Sequence, residues 1–217
     1  MLGKDRKPSR RTYRAPGREA AAARTRTAIV DAARDLFESR GWSGTTVAAV
    51  ADAAGVSQKT IEAVFGTKAA LLQAAVEYAI RGDVDPVPNA ATRRCTHMES
   101  VPGADEFLRL HVAHLRTINE RSARLAWTVE HAAGSDPTVA ALWERMNRNR
   151  AYGVVWAAST LLRKTGRKRG LRQRDVETSF WVALDWGTYR TLTEQAGLNA
   201  DAYERWLWNY YSATMLP

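Results

Sequence analysis

The spacing of apolar residues between positions 27 and 80 constrains the fold most, because it is helical and breaks at glycines. Apolar side chains recur every three or four residues from Ala28 to Phe37, and this period predicts an amphipathic helix. The helix should stop at Arg40-Gly41, because glycine readily adopts the left-handed backbone that ends helices. Residues 1–23 lack the periodicity, so we expect them to form a disordered basic arm.

Three shorter helical segments follow this first helix. Either Thr45 or Thr46 can cap a second helix, VAAVADAA, because a hydroxyl there accepts a hydrogen bond from a free N–H of the first turn. Ser57 can cap a third helix, QKTIEAVF, and Thr67 a fourth, KAALLQAAVEYAI. Gly55 allows a tight turn between the second and third helices. Together these segments predict a helix-turn-helix unit.

The third helix has an inner and an outer side. Ile61 and Phe65 are four residues apart, so they share a face and should pack on the other two helices. Small helix pairs of this kind also occur in ordinary globular cores, and spacing alone leaves DNA binding open. The remaining positions face outward, where a DNA major groove could accept them: Gln58, Lys59, Glu62 and Ala63.

The rest of the chain also carries helical patterns and no strand-like alternation. Three prolines and Gly103 within residues 82–103 predict a linker. The chain is therefore expected to be all-α, with about nine helices and an N-terminal three-helix unit followed by a C-terminal helical domain. The predicted C-terminal helices cover roughly 104–119, 121–133, 136–164, 174–196 and 199–215.

The net charge of +9 is concentrated in two segments. Residues 1–26 carry a net charge of +7 and residues 163–174 another +7, which leaves −5 for the remainder. Basic segments of this kind favour polyanions such as nucleic acid or anionic membranes. For residues 163–174 we favour a solvated loop, because glycines interrupt the charges.

Several classes of protein are disfavoured by what the sequence lacks. A single cysteine, Cys95, allows neither a disulfide framework nor a multi-cysteine zinc site. The sequence shows no secretory signal and no run of about 18 apolar residues, so we expect a cytoplasmic protein without membrane contact. It has no Gly-rich phosphate loop, G-x-S-x-G or H-E-x-x-H motif, so an enzyme is not expected. His111 and His114 share a helix face but have no evident third ligand, and we expect no metal or cofactor.

Residues 25–76 resemble the DNA-binding domain of the tetracycline-repressor (TetR) family, and about 50 consecutive residues align without a gap. The resemblance implies a DNA-binding domain over 24–81, with a recognition helix at about 57–65, and a ligand-binding and dimerisation domain over 82–217. A looser resemblance covers the C-terminal stretch ALDWGTYRTLTEQAGLNADAYERWLWNYYSATML. The matching motifs are A-x-x-L-F-x-x-x-G at Ala33–Gly41, T-T-V-x-x-V-A at Thr45–Ala51, A-G-V-S at Ala54–Ser57, T-I at Thr60–Ile61 and F-x-x-K-x-x-L-L at Phe65–Leu72.

The resemblance implies a homodimeric transcriptional repressor that binds a palindromic double-stranded DNA operator and is released by a small-molecule effector. An activator stays open as an alternative, because the sign of regulation depends on where the operator lies. The same resemblance implies phosphate contacts from Thr46 and Lys68 and base contacts from the third helix. The full predicted DNA-binding set is Thr46, Ser57, Gln58, Lys59, Thr60, Glu62, Ala63, Lys68, Arg24 and Arg26.

Two positions depart from the family pattern. Members often carry Tyr and His where this chain has Glu62 and Val64; Glu62 brings a negative charge near phosphates, and Val64 lacks a hydrogen-bonding group. A helical module of the same fold with weak or non-specific DNA binding is therefore the alternative. The basic arm could supply affinity by entering the minor groove, or it could remain a tail without DNA contact.

The C-terminal region holds seven of the eight tryptophans, which can serve packing, a dimer interface or a ligand pocket. Aromatic residues are dense on the last two predicted helices, where the resemblance places the dimer interface. The candidate pocket residues are Phe107, His111, Trp127, His131, Trp143 and Asn147, with His114 behind them. The candidate interface residues are Phe180, Trp181, Leu184, Tyr203, Trp206 and Tyr210.

Overall fold

The structure is a computed structural model that describes residues 16–82, 93–165 and 171–216. This part of the chain contains ten α-helices and no strand, which confirms the all-α prediction. Residues 1–15 of the predicted arm and 166–170 of the predicted basic loop lie outside it. The helices are α1 (Pro16–Gly44), α2 (Val47–Ala54), α3 (Gln58–Phe65), α4 (Lys68–Arg81), α5 (Arg93–Ser100), α6 (Ala104–Ala133), α7 (Pro137–Thr165), α8 (Gln173–Ala183), α9 (Trp186–Arg190) and α10 (Ala200–Met215).

The caps and breaks of the first four helices lie where the sequence predicts them. The helical path of α1 breaks at Gly41, whose φ of 66° and ψ of −171° are non-helical. Thr46, Ser57 and Thr67 each accept a hydrogen bond from the backbone N–H three residues ahead. Gly55 adopts a left-handed conformation with a φ of 65°, and this turn ends α2.

Two regions expected to lack structure are helical. The prediction of disorder is wrong for residues 16–23, because α1 begins at Pro16. Proline suits a first helical position, and the alanines at 20–23 have the highest helix propensity. The predicted linker over 82–103 contains α5, in which Cys95 and Met98 are three residues apart and both buried. Two apolar residues give too little periodicity to predict so short a helix.

The C-terminal helices are also divided differently from the prediction. The expected break near Glu120 does not occur, since no glycine or proline interrupts the single helix α6. The predicted helix over 174–196 is instead split, because Asp185 caps α9 by accepting a hydrogen bond from the N–H of Thr188 at 2.7 Å. A π-helical turn, Thr191–Gln195, continues α9. The last helix, α10, begins after the predicted cap Asn199.

Helix α6 connects the two halves of the fold, because it packs against α1 and α4 on one side and α7, α9 and α10 on the other. Thr128 of α6 is buried, and its hydroxyl donates a hydrogen bond to the Phe37 carbonyl oxygen of α1 at 3.1 Å. Phe37 is fully buried as well. The helix-turn-helix unit is therefore anchored directly on the longest helix of the C-terminal half.

Candidate functional site

The turn between α2 and α3 forms the rigid frame of the candidate DNA-binding site. The N–H of Val56 donates to the carbonyl of Ala51 at 3.0 Å, which closes the turn behind Gly55. Val50 and Ala51 of α2 and Ile61 of α3 are buried. Because these side chains are fixed in the core, the opposite face of α3 has a defined orientation.

The outward face of α3 matches the prediction from the sequence. Gln58, Lys59, Glu62 and Ala63 are all exposed, and we call these four residues the reading face. Thr60 is half-buried, and its hydroxyl lies 2.8 Å from Ser57 Oγ. Ser57 Oγ also accepts the hydrogen bond that caps α3. The structure thus gives Ser57 and Thr60 a local structural role beside their predicted DNA contact.

The two threonines before α2 have different environments. Thr46 is exposed, and its Oγ1 accepts the N–H of Ala49 at 3.1 Å, so it is the N-cap. Thr45 is buried, and its hydroxyl contacts the carbonyl oxygens of Leu36 at 3.0 Å and Gly41 at 2.8 Å. Thr45 therefore stabilises the break in α1. The sequence alone offered Thr45 only as an alternative N-cap of α2.

Lys68, predicted to contact phosphate, has partners within the protein. Its Nζ donates to the Trp42 carbonyl oxygen at 2.6 Å and lies 4.1 Å from the centroid of the Trp42 ring. Burial lowers the pKa of Lys68, and the carboxylate of Asp136 partly opposes that shift. The ammonium thus joins the start of α4 to the segment that follows the Gly41 break.

The two arginines of α1 that were predicted to contact DNA have different surroundings. Arg24 is exposed, whereas the guanidinium carbon of Arg26 lies 4.5 Å from the centroid of the Phe65 ring. Phe65 is the last residue of α3, so this cation–π contact joins α1 to the end of the candidate recognition helix. Both arginines therefore lie on the N-terminal part of the fold, with Arg24 free to meet a polyanion.

Two of the predicted pocket residues belong to a buried cluster of rings. His111 lies between Phe107, at 5.7 Å between ring centroids, and Phe180, at 5.0 Å. Trp156 and Tyr211 complete the surroundings at 6.2 and 6.1 Å from the imidazole. We call these five residues the aromatic cluster; they come from α6, α7, α8 and α10.

The other predicted pocket residues lie elsewhere. Trp127 and His131 are exposed and pack on each other at 4.0 Å between ring centroids. Trp143 is half-buried beside Trp186, at 6.1 Å. Asn147 has a buried Oδ1 without a hydrogen-bond partner. The six predicted residues therefore do not line one common pocket.

A groove that the sequence did not predict runs between α6 and α10. Its volume is about 460 Å³. Arg109 lies over the Trp208 ring at 3.9 Å, and Arg116 forms ion pairs with Asp201 and Glu204 at 2.8 Å. The lining residues are Arg109, Val112, Asp201, Glu204, Arg205 and Trp208.

The predicted interface residues fall into two groups. Phe180 and Tyr203 are fully buried within one chain, so the prediction that they contact a partner is wrong. Trp181 is 37% exposed. Leu184, Trp206 and Tyr210 are half-buried. A high density of aromatic residues in the sequence therefore does not tell which of them lie in the core of the protomer and which lie at its surface.

The described residues offer neither a metal site nor a membrane-spanning helix. In these ranges no group of three or more histidine, cysteine, aspartate or glutamate side chains is arranged to hold a metal ion. His114 instead lies with its Nδ1 3.1 Å from a guanidinium nitrogen of Arg94. Within the same ranges, the helices include none with the length and apolar character needed to cross a membrane.

Comparison with known sequences gives the same assignment for the N-terminal part. The sequence profile of the family described as bacterial regulatory proteins, tetR family, matches residues 29–75. A 68-residue segment is 44% identical to the HTH-type transcriptional regulator AlkX of Mycobacterium tuberculosis, and the alignment covers 31% of this chain and 31% of that protein.

Comparison with solved structures extends the likeness to most of the chain. A protein from Rhodococcus sp. assigned to the TetR-family transcriptional regulators has a TM-score of 0.64 at 20% identity, covering 88% of this chain and 98% of the other. The transcriptional regulator FadR of Bacillus subtilis, solved in complex with stearoyl-CoA, has a TM-score of 0.63 at 16% identity, covering 84% and 95%. At these identities the likeness is one of fold.

Proposed function

We propose that the chain is a member of the TetR family of bacterial regulatory proteins, whose profile matches residues 29–75, and that it is a homodimeric repressor of transcription. In this proposal it acts in the cytoplasm, binds a palindromic double-stranded DNA operator and releases it when a small-molecule effector binds the C-terminal half. It acts by binding alone and carries no catalytic activity.

The reading face of α3 is the observation that carries the proposal. Gln58 and Lys59 are exposed in the first turn of α3, on a helix held by Ile61 and by the Gly55 turn. Eight residues span about 12 Å, close to the width of the major groove. Glutamine can pair with adenine through two hydrogen bonds, and lysine can donate to guanine acceptors. These two residues are therefore the proposed base contacts.

Few positive charges near the reading face are available to contact DNA phosphates. Glu62 is exposed there, and Arg34 is already paired with Asp31 at 3.7 Å and Asp35 at 3.2 Å. The cations that remain available at this end include Lys59 and Arg24. We therefore propose that the basic residues before α1 add a non-specific, salt-dependent part to the affinity.

A surface formed by α7 and α8 supports the proposed homodimer. Tyr152 is 73% exposed, and Val155 of α7 and Trp181 and Val182 of α8 are exposed as well. Exposed apolar side chains on two helices that pack together indicate an interface. A two-fold dimer would present two copies of α3, and the palindrome of the operator would mirror that symmetry.

Selection of DNA from a random pool by the purified protein tests the proposal. We expect a palindromic consensus at near-physiological salt. Lys59→Ala should reduce affinity for the consensus about tenfold or more and relax one position of it. Arg121→Ala, which removes an exposed arginine of α6, is the matched control and should change little.

Two results would contradict parts of this proposal. Binding without any consensus, with a steep dependence on salt, would favour the non-specific module that Glu62 on the reading face suggests. For the dimer, Tyr152→Glu should shift the wild-type dimer to a monomer in sedimentation velocity. A dimer unchanged by this substitution would place the interface elsewhere.

A further inference from the structure

The aromatic cluster contains a histidine that is unusual for a protein core. His111 is 2% exposed, and Phe107, Trp156, Phe180 and Tyr211 all lie within 6.2 Å of its ring centroid. Phe180 and Tyr211 also contact each other edge to face at 5.1 Å. A phenylalanine or leucine would fill such a position without desolvating a polar ring.

Two polar atoms in the cluster have no hydrogen-bond partner. Nδ1 of His111 and the hydroxyl oxygen of Tyr211 are both buried and unpaired. Buried polar atoms in native proteins are nearly always paired, because an unpaired one retains its full desolvation cost. Two such atoms on facing residues of one cluster indicate a partner that the chain itself does not supply.

The polar groups of the cluster are uncharged near neutral pH. Burial, with a smaller effect of the neighbouring His114, lowers the pKa of His111 to about 3. Burial also raises the pKa of Tyr211 well above its usual value. Charged groups of both signs lie at the edge of the cluster: Lys164 Nζ lies 6.0 Å from the Phe107 ring centroid, Arg94 contacts His114, and the Glu99 carboxylate contacts Trp156. The five rings themselves carry no charge near neutral pH, so the cluster fits an uncharged ligand best.

Trp156 is the one member of the cluster that is partly exposed. Its Nε1 donates to a carboxylate oxygen of Glu99 on α5 at 2.5 Å. Glu99 is exposed, so this hydrogen bond can be exchanged for one to water at little cost. Rotation of the indole would open the cluster from the side of α5 and expose His111 and Tyr211 to an entering molecule.

We propose that the aromatic cluster is the effector site and that it takes an uncharged aromatic molecule bearing a hydroxyl group. The rings stack with the aromatic body of the ligand, which occupies the space that Trp156 vacates. The ligand hydroxyl donates to Nδ1 of His111 and accepts from the Tyr211 hydroxyl. This inference rests on the proposed function only for its regulatory consequence, since binding can be measured without DNA.

A series of three naphthalene compounds tests the ligand class on the full-length protein. By titration calorimetry, 2-naphthol should bind wild-type protein about tenfold or more tightly than naphthalene, and 2-naphthoate should bind more weakly than 2-naphthol. His111→Phe and Tyr211→Phe should remove the advantage of 2-naphthol over naphthalene. His131→Phe, which alters an exposed histidine of the same helix, is the control and should retain it.

Stability without ligand gives a second, independent test. Tyr211→Phe removes a single unpaired oxygen and adds no atoms, so it should leave Tm unchanged or raise it by about 2–4 °C. A fall of several degrees would mean that the hydroxyl is satisfied in the free protein. Either that fall or the absence of any His111-dependent binding of 2-naphthol overturns the proposal.

Measurement of operator binding separates this inference from the proposed function. With the DNA consensus in hand, 2-naphthol should weaken operator binding by wild-type protein and leave that of His111→Phe unchanged. If the protein binds no specific DNA yet binds 2-naphthol through His111, the proposed function fails and the site stands. If it binds its operator but shows no His111-dependent ligand binding, the site fails alone.

Discussion

Acid should destabilise this fold well before its carboxylates titrate, because the fold holds the buried His111 and the half-buried His114 in the uncharged state. Burial lowers the pKa of His111 to about 3 and that of His114 to about 4, with smaller effects of His114 on the first and of Arg94 on the second. In the unfolded chain both should titrate near 6.5. Below that pH the unfolded state binds more protons than the folded state, so the free energy of unfolding decreases as the pH is lowered.

The size of the effect follows from these pKa values. At pH 5 each histidine costs about 2 kcal/mol, because the unfolded imidazole is almost fully protonated and the folded one almost fully neutral. Together they remove about 4 kcal/mol between pH 7 and pH 5, and the loss continues toward the folded pKa values. This is a large part of the 5–15 kcal/mol that is typical of domain stability.

Urea denaturation followed by circular dichroism at pH 7 and pH 5 measures this loss. His111→Phe should reduce the difference between the two pH values by about half, because one of the two histidines is gone. Phe180→Leu, which alters the neighbouring ring, should lower stability equally at both pH values. If wild-type protein and His111→Phe lose the same free energy between pH 7 and pH 5, then His111 is not buried in its uncharged form.

Three other substitutions have defined outcomes. Thr128→Val should lower the free energy of unfolding by about 1 kcal/mol in urea denaturation, because it removes a buried hydroxyl that lies within hydrogen-bond distance of the Phe37 and Arg124 carbonyl oxygens. Glu62→Gln should tighten DNA binding severalfold at low salt and less at high salt in fluorescence anisotropy, because it removes a negative charge from the reading face. Lys68→Met should lower Tm by about 2–4 °C in calorimetry, because it removes the ammonium bound to the Trp42 carbonyl.

Each of these three outcomes has a control. Thr128→Ser keeps the hydroxyl and should retain most of the stability that valine loses. Glu130→Gln removes an exposed charge of α6 and should leave DNA binding unchanged, and an equal gain there would deny any special position to Glu62. Lys68→Arg keeps a cation, and a loss of Tm as large as that of Lys68→Met would show that a cation at this position is not what stabilises the Trp42 segment.

The N-terminal unit was predictable because its determinants are local. A hydroxyl at Thr46 or Ser57 caps the helix that starts at the next residue, and a left-handed glycine at Gly55 ends one. Outward and inward sides of α3 follow from a period of 3.6 residues. The exposed set Gln58, Lys59, Glu62 and Ala63 could therefore be assigned before any tertiary structure was known.

The roles of other residues depend on partners far along the chain. Lys68 meets a carbonyl 26 residues earlier, and His111 meets rings from α7, α8 and α10. No local pattern brings such residues together. The density of aromatic residues on the last helices predicted interface residues there, but Phe180 and Tyr203 fill the core of one protomer. Tyr152 of α7 is 73% exposed, and no sequence pattern marks it as a surface residue.

The continuity of α6 gives this protein a mechanical lever. His111 and Thr128 lie on one uninterrupted helix, about 25 Å apart along its axis. A tilt of about 5° around the His111 end would displace the Thr128 end by about 2 Å at that length. Because the Thr128 hydroxyl is hydrogen-bonded to the Phe37 carbonyl oxygen of α1, such a displacement would also move the DNA-binding unit. Had α6 been broken near Glu120, as the sequence suggested, a hinge there would have absorbed the motion.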